Sequence, residues 1–152
     1  MYEVATLQLE LNYESAEELD KALKLIQQVL LAKEKALGMV HPDTLKIVRR
    51  FAQLYETQNN LDDAELMYKR IQTAYETQAI PFNDNECELI FATNEFAKLL
   101  DKRGKIEESV SMYERALLLS DKHFGPTFPL TDSLATKFSK VLNKNREVSD
   151  SK

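Results

Sequence analysis

One short stretch of this chain occurs three times. Residues 50–55 read Arg-Phe-Ala-Gln-Leu-Tyr, residues 95–100 read Glu-Phe-Ala-Lys-Leu-Leu, and residues 137–142 read Lys-Phe-Ser-Lys-Val-Leu. The phenylalanines of successive copies lie 45 and then 42 residues apart. A small unit that recurs at a period of roughly 20–50 residues is typical of a stacked array. The sequence therefore predicts a repeat protein rather than a fold built around one reaction pocket.

Each copy divides into two amphipathic helices. Apolar residues recur with helical spacing from Val48 to Tyr55 and again from Leu61 to Ile71. In the next copy the break between the two helices is residues 103–105, where Gly104 can take the left-handed conformation that ends a helix. So short a break forces the two helices into an antiparallel hairpin. We predict helices near residues 2–13, 16–36, 43–57, 61–78, 85–102, 106–122 and 131–144.

The linkers between hairpins also share a layout. Residues 37–44 and 124–131 both place a glycine at the end of one helix and a proline at the start of the next. The predicted architecture is a single array over residues 1–145. It consists of hairpins at 2–36, 43–78 and 85–122 and a capping helix at 131–144, while the polar residues 146–152 are expected to be disordered.

Composition excludes several classes of function. The formal net charge of −5 and the pI near 5.2 argue against binding dominated by nucleic-acid phosphates. One cysteine, Cys87, cannot form an internal disulfide and suits a reducing compartment. The chain has no leader-like segment and no apolar run near 18 residues, so we expect a cytoplasmic protein that neither crosses nor binds a membrane. No cofactor is expected.

The repeated residues resemble a known family. The pattern Val48-x2-Phe51-Ala52-x2-Tyr55, followed by Ala64-x3-Tyr68, resembles the layout of tetratricopeptide repeats. The third unit resembles it again, with Thr93, Phe96, Ala97 and Leu100 followed by Ser109 and Tyr113. The period near 42 and the Leu-Gly-x-x-His-Pro-x-Thr linker resemble the longer kinesin-light-chain type. The resemblance covers about residues 15–142. It implies an all-α, right-handed solenoid that acts as a non-enzymatic scaffold for protein partners.

The resemblance further implies that the first helix of each hairpin lines a concave groove that binds a peptide. The groove candidates are the residues on these helices that point away from the apolar stripe: Lys46, Arg49, Gln53, Phe91, Asn94, Lys98, Lys102, Ser133, Thr136, Lys140 and Lys144. This set is basic within an acidic chain, so we expect it to bind an acidic segment of a partner. In this hypothesis Asn94 binds a backbone amide and Phe91 anchors an apolar side chain. The alternative is that the lysines are simply a solvated face, paired with Glu56 or Asp101.

A more specific form of the groove hypothesis is the carboxylate clamp of chaperone-binding tetratricopeptide domains, and it fits this chain poorly. The clamp requires an asparagine where this chain has Glu95, and polar residues where it has Leu7 and Leu11. A chaperone C-terminus is therefore the less favoured ligand.

The first helix is apolar on all sides. Its residues Val4, Leu7, Leu9 and Leu11 predict a second neighbour, either an upstream repeat or another copy of the chain. We therefore expect a homodimer formed through residues 2–13. The alternation of apolar and polar residues there also allows a strand, although a helix is favoured.

Two other functions remain as alternatives. Similar repeats form the sensor arm of larger signalling NTPases, so the chain could be a regulatory segment of such a protein. An enzyme is the weakest alternative, because both histidines, His41 and His123, lie at linkers and suit turns. Cys87 suits a half-buried structural thiol. Residues 83–86 lack the glycine and the distant glutamate of a calcium loop.

Overall fold

A computed structural model of the protein describes residues 16–77 and 85–150. These residues form six α-helices and contain no strand. The helices are α1 (Ala16–Leu37), α2 (Pro42–Thr57), α3 (Leu61–Thr77), α4 (Asn85–Lys102), α5 (Ile106–Phe124) and α6 (Pro129–Asp150). The prediction of an all-α fold is confirmed. The helix expected at residues 2–13, together with its alternative as a strand, lies outside the described residues.

One predicted boundary is wrong. The final helix was expected to end at residue 144 and to be followed by a disordered tail, but α6 begins at Pro129 and continues to Asp150. Residues 145–150 are polar except for Val148, and they contain neither glycine nor proline to stop the helix. Polarity alone therefore did not signal disorder, since nothing in these residues interrupts the helix hydrogen bonds.

The chain divides into two compact units, Met1–Ile80 and Pro81–Lys152. In the first unit α2 packs against both α1 and α3. The buried side chains of this unit include Ile26 and Val29 from α1, Val48 from α2, and Tyr68 and Ile71 from α3. The three-residue connection between α2 and α3 makes them the antiparallel hairpin that the sequence predicts.

In the second unit α5 packs against both α4 and α6. One apolar cluster joins all three helices, and its buried members are Ile90, Ala97, Tyr113, Ala116, Leu134 and Val141. The small residue Ala97 lies directly against α5, since the Ser109 hydroxyl donates a hydrogen bond of 2.8 Å to the Ala97 carbonyl oxygen. The repeated small residue therefore lets two helix backbones approach closely.

Equivalent positions of the repeat show why α6 differs from α2 and α4. One face of α6 is buried at Thr131, Leu134 and Val141, and the Thr131 hydroxyl lies 2.7 Å from the Ser120 hydroxyl of α5. The other face carries Ser139 at the position of the buried residues Ala52 and Ala97, and Ser139 is not buried. Asp132 likewise replaces the buried Leu45 and Ile90. The one-sided burial of α6 is that expected of a capping helix.

Both hairpin turns end the first helix in the same way. In each turn, the N–H groups of the first and second residues after the helix C-cap donate hydrogen bonds back to carbonyl oxygens of the last helical turn. This arrangement is a Schellman motif. After α2, Asn60 N–H donates to the Tyr55 carbonyl oxygen (2.8 Å) and Asn59 N–H donates to that of Glu56 (2.9 Å). After α4, Lys105 N–H donates to the Leu100 carbonyl oxygen (2.9 Å) and Gly104 N–H donates to that of Asp101 (3.0 Å). The motif requires a positive φ, which is +63° at Asn59 and +81° at Gly104. The sequence identified Gly104 for this role but not Asn59.

Replacement of Gly104 with alanine should lower the free energy of unfolding by about 1 kcal/mol. The added Cβ meets no neighbouring atom within 4 Å, so the loss comes from the left-handed backbone alone. Thermal unfolding followed by circular dichroism measures the change. The matched variant is Asn59→Gly, which relieves the same strain and should raise stability slightly. If Gly104→Ala and Asn59→Gly shift the unfolding midpoint in the same direction, this explanation is wrong.

His41 has the turn role that the sequence predicts. Its side-chain Nδ1 accepts a hydrogen bond of 3.1 Å from the backbone N–H of Asp43, and Pro42 occupies the first helical position of α2. Close by, the Thr44 hydroxyl donates to the Gly38 carbonyl oxygen at 2.8 Å. These bonds fix the entry into α2 from the end of α1.

Candidate functional site

The predicted groove residues of the first unit lie on α2. Lys46 is exposed, and its Nζ lies 3.8 Å from the Asp43 carboxylate of the same helix. Arg49 and Gln53 are half-buried. For Lys46, the alternative interpretation as a solvated and locally paired lysine therefore has direct support.

In the second unit, α4 carries four of the predicted residues, and three of them reach the surface. Lys98 and Lys102 are exposed, and 39% of Phe91 is exposed. Asn94 differs, because only 8% of it is exposed and its Oδ1 has no hydrogen-bond partner among the described residues. Its amide is thus not displayed on the surface, as peptide binding by Asn94 would require.

The remaining predicted groove residues lie on α6. Ser133, Thr136, Lys140 and Lys144 reach the surface, and the Thr136 hydroxyl donates to the Asp132 carbonyl oxygen within the helix at 3.1 Å. Lys137 joins Lys140 and Lys144 on one face, because spacings of three and seven residues bring side chains to the same side of a helix. The result is a row of three lysines along α6.

The fold brings Lys98 of α4 against this row. Lys98 and Lys137 are close enough for a side-chain hydrogen bond, although both carry a positive charge when protonated. Burial of the Lys137 amine lowers its pKa from the ordinary value of 10.5, and the charge of Lys98 and the hydrogen bond to it lower it further. We call Lys98, Lys137, Lys140 and Lys144 the lysine cluster.

Three members of the lysine cluster line a cavity of about 240 Å³. The cavity is lined by Asp101, Tyr113, Lys137, Lys140, Val141 and Lys144. Asp101 is the one carboxylate among these lining residues, and its Oδ1 already accepts a hydrogen bond of 2.8 Å from Lys144 Nζ. This pair agrees with the alternative interpretation, in which Asp101 pairs with one of the lysines predicted to line a groove. It leaves the positive charges of Lys137, Lys140 and the neighbouring Lys98 in excess.

Tyr113 lines the cavity and carries a neutral hydroxyl. Burial of its side chain, and then the negative charge of Asp101, raise the pKa of the Tyr113 phenol to about 12. At neutral pH the phenol therefore stays protonated and can donate a hydrogen bond. Ammonium groups and a phenol that border one cavity can bind an anion.

The lowered pKa of Lys137 has a definite effect on stability. Its protonated form is less favourable in the folded chain than in the unfolded one. This penalty is present below the lowered pKa and disappears as pH rises through it towards 10.5. A bound anion would favour the protonated amine and so would remove the penalty at neutral pH.

Lys137 and Tyr113 were not among the site residues predicted from the sequence. Lys137 belongs to the third copy of the repeated stretch, and its spacing from Lys140 and Lys144 was visible in the sequence. No sequence signal placed Lys98 beside it. Tyr113 matched the repeat pattern as a core residue, which it is, and its contribution to a cavity wall depends on how α4 and α6 pack around α5.

Cys87 and His123 meet at the other end of the α4–α5 hairpin. Cys87 is half-buried, and its Sγ lies 3.9 Å from His123 Nε2. The His123 ring packs edge-on against Phe124, which stacks on Phe128 with ring centroids 4.4 Å apart. Within residues 16–77 and 85–150, no group of three or more histidine, cysteine or acidic side chains is arranged to hold a metal ion.

Two other expectations from the sequence concern membrane spanning and self-association. None of the helices described is both long enough and apolar enough to span a bilayer. The proposed self-association residues Val4, Leu7, Leu9 and Leu11 lie outside the described residues.

Solved structures with similar folds are helical-repeat proteins. BtubC (BKLC) from P. vanneervenii superposes with a TM-score of 0.80 at 18% identity, covering 97% of this chain and 57% of its own. A putative kinesin light chain from Podosopora anserina, with nearly identical TPR-like repeats, superposes in two crystal structures with TM-scores of 0.68 and 0.69. In both, the identity is 15%, and the match covers 98% of this chain and 77% of the other. These likenesses confirm the fold.

Sequence comparison points to the same group. The comparison with curated proteins gave no match. Two family models of the tetratricopeptide repeat match this sequence, one at residues 4–77 and the other at residues 92–130. Together these ranges make up well over half of the chain. These ranges contain the first two copies of the repeated stretch, and the solved structures extend the likeness over nearly all of the chain. The chain belongs to the tetratricopeptide repeat family.

Proposed function

We propose that this protein is a non-enzymatic cytoplasmic scaffold that binds an acidic segment of a partner protein at the lysine cluster. Tetratricopeptide repeats are generally scaffolds for protein–protein interaction and are typically not enzymes. The observation that carries the proposal is the apposition of Lys98 and Lys137 beside a cavity with more positive than negative charge. Holding two ammonium groups together is unfavourable unless an anion lies between them.

The charge of the whole chain supports a specific rather than a general attraction. The protein carries a formal net charge of −5, so an acidic partner is repelled by most of its surface. The lysine cluster is a local exception, and its excess charge would orient an acidic segment towards the cavity. Binding should therefore weaken as ionic strength rises.

Phe91 suggests the spacing of the bound segment. Phe91 and Lys98 are seven residues apart on α4, which corresponds to about 10 Å along the helix axis. An extended peptide covers that distance in about three residues. We therefore expect the partner to carry an apolar side chain about three residues from its acidic one, with the apolar side chain against the exposed ring of Phe91.

Neutralising the cluster should weaken binding by about tenfold or more, because each lost charge-assisted hydrogen bond contributes roughly 1.5–3 kcal/mol. The variant is Lys137→Gln with Lys140→Gln. The matched control is Lys24→Gln with Lys35→Gln, which makes the same charge change at two positions of α1 that reach the surface. Fluorescence anisotropy with a degenerate peptide library that contains a central glutamate pair measures the affinity. Equal affinities of the two double variants would contradict the proposal.

Two finer parts of the function rest on the sequence alone. Self-association through residues 2–13 stays a prediction, and light scattering over a range of protein concentrations tests it. The alternative that the chain is a regulatory segment of a larger signalling protein also stays a prediction. It would be supported if the same residues were found within a longer reading frame that encodes an NTPase domain.

A further inference from the structure

The cavity at the lysine cluster has more positive charge than one carboxylate side chain can neutralise. We infer that this cavity binds a phosphoryl group, carried by a phosphoserine or phosphothreonine of the partner segment. The inference rests on the proposed function, because it names the side chain of the acidic segment that enters the cavity.

The first argument is the balance of charge. Asp101 is already paired with Lys144 at 2.8 Å, which leaves Lys137 and Lys140 in the cavity wall and Lys98 beside Lys137. A carboxylate would neutralise one of these three charges. A phosphoryl group carries about −1.5 to −2 at pH 7 and has three acceptor oxygens, so it can neutralise most of the excess.

The second argument is the type and direction of the donors. Tyr113 lies on α5 and Lys137 and Lys140 lie on α6, so the donors that line the cavity come from two helices, and Lys98 of α4 lies beside Lys137. A tetrahedral phosphoryl group points its oxygens in several directions and can meet such donors. The lining contains no arginine, whose planar fork matches a carboxylate in two parallel hydrogen bonds. Lysine binds phosphate as a compact point charge with rotatable donors.

The third argument is size. The volume of about 240 Å³ is several times the roughly 30 Å³ that one water occupies in the liquid. The volume is therefore large enough for a phosphoryl group and the first carbons of its side chain. The neutral Tyr113 hydroxyl supplies a donor that adds no further like charge beside Lys137.

The inference predicts a pH dependence of a particular sign. The second ionisation of a phosphoserine has a pKa near 6, whereas a glutamate ionises near about 4.3. Affinity for the phosphorylated segment should fall severalfold between about pH 7.5 and about pH 5.5. The titratable groups that line the cavity are Asp101, Tyr113, Lys137, Lys140 and Lys144, and Lys98 lies beside Lys137. On acidification, any proton gained by Lys137 would strengthen anion binding rather than weaken it. A fall in affinity therefore reports the ligand's phosphoryl group.

The test uses three degenerate peptide libraries that differ only in the central residue, which is phosphoserine, glutamate or serine. Fluorescence anisotropy with the full chain should show the phosphoserine library binding about tenfold more tightly than the glutamate library at about pH 7.5. The Lys137→Gln, Lys140→Gln variant should remove this preference, and the Lys24→Gln, Lys35→Gln control should keep it. Tyr113→Phe, with helicity checked by circular dichroism, should weaken phosphoserine binding severalfold.

The outcomes separate the two proposals. If the glutamate library binds as tightly as the phosphoserine library and the cluster variant weakens both, the phosphoryl inference is overturned and the acidic-segment proposal stands. If no library binds, both are overturned. Inorganic phosphate that competes at the same concentration as the phosphoserine library would show a site for the free ion, which also overturns the inference.

Discussion

Replacement of Leu134 with alanine should lower the free energy of unfolding by about 3 kcal/mol. Leu134 has 0% exposure and lies in the apolar cluster that joins α4, α5 and α6. Its removal leaves a cavity, and the loss combines the transfer of the leucine side chain with the unfilled space. Because α6 is buried on one face only, the remaining buried side chains Thr131 and Val141 offer little to replace Leu134. Urea unfolding followed by circular dichroism measures the change.

The control for this experiment is Leu118→Ala on α5. Leu118 is 62% exposed, so its truncation removes little buried surface and should change stability by less than about 0.5 kcal/mol. Both substitutions remove the same atoms from a helix in the same unit, and alanine favours helix in both cases. Similar losses for Leu118→Ala and Leu134→Ala would show that α6 is not held by the cluster.

The second large effect is expected where the repeat requires a small side chain. Ala97→Leu should destabilise the protein by about 2 kcal/mol, because extra atoms in a filled core force neighbouring groups apart. Ala97 has 0% exposure, and the hydrogen bond from the Ser109 hydroxyl to its carbonyl oxygen holds α5 against it. A leucine there would separate α4 from α5 and lengthen that 2.8 Å bond. Thermal or urea unfolding measures the loss.

The matched control is Ser139→Leu. Ser139 occupies the position of Ala97 in the third copy of the repeated stretch, but it reaches the surface on the other face of α6. A leucine at residue 139 should therefore change stability by less than about 0.5 kcal/mol. A large loss at both positions would mean that the second face of α6 is covered. If leucine changes stability little at both residue 97 and residue 139, these repeat positions do not mark close contacts between helices.

Much of the fold could be predicted because its signals are local. The apolar spacing from Val48 to Tyr55, the break at Gly104 and the proline at residue 42 each act within a few residues along the chain. The helix ends that they predict lie within two residues of those observed for α1 to α5. The two errors were also local: Asn59 takes a left-handed conformation without being a glycine, and residues 145–150 remain helical although they are mostly polar.

The candidate site was predicted only in part, because it depends on how helices are rotated against one another. The sequence placed Lys98, Lys140 and Lys144 on one side of their helices, and the last two lie with Lys137 along the cavity. It also placed Asn94 on that side, yet the residue is almost buried. Each step of one residue turns a side chain by about 100° around the helix axis. Helical spacing alone therefore does not decide whether a residue at the edge of a face is exposed.

The sequence by itself determined that this chain is a helical repeat protein, where its hairpins turn and which helix closes its C-terminal unit. These features follow from patterns that each segment carries independently of the others. The tertiary structure alone decided that Lys98 meets Lys137, that Lys144 pairs with Asp101, and that Tyr113 completes a cavity between them. The partners in these contacts lie on different helices, so their proximity depends on the packing of α4 and α6 against α5.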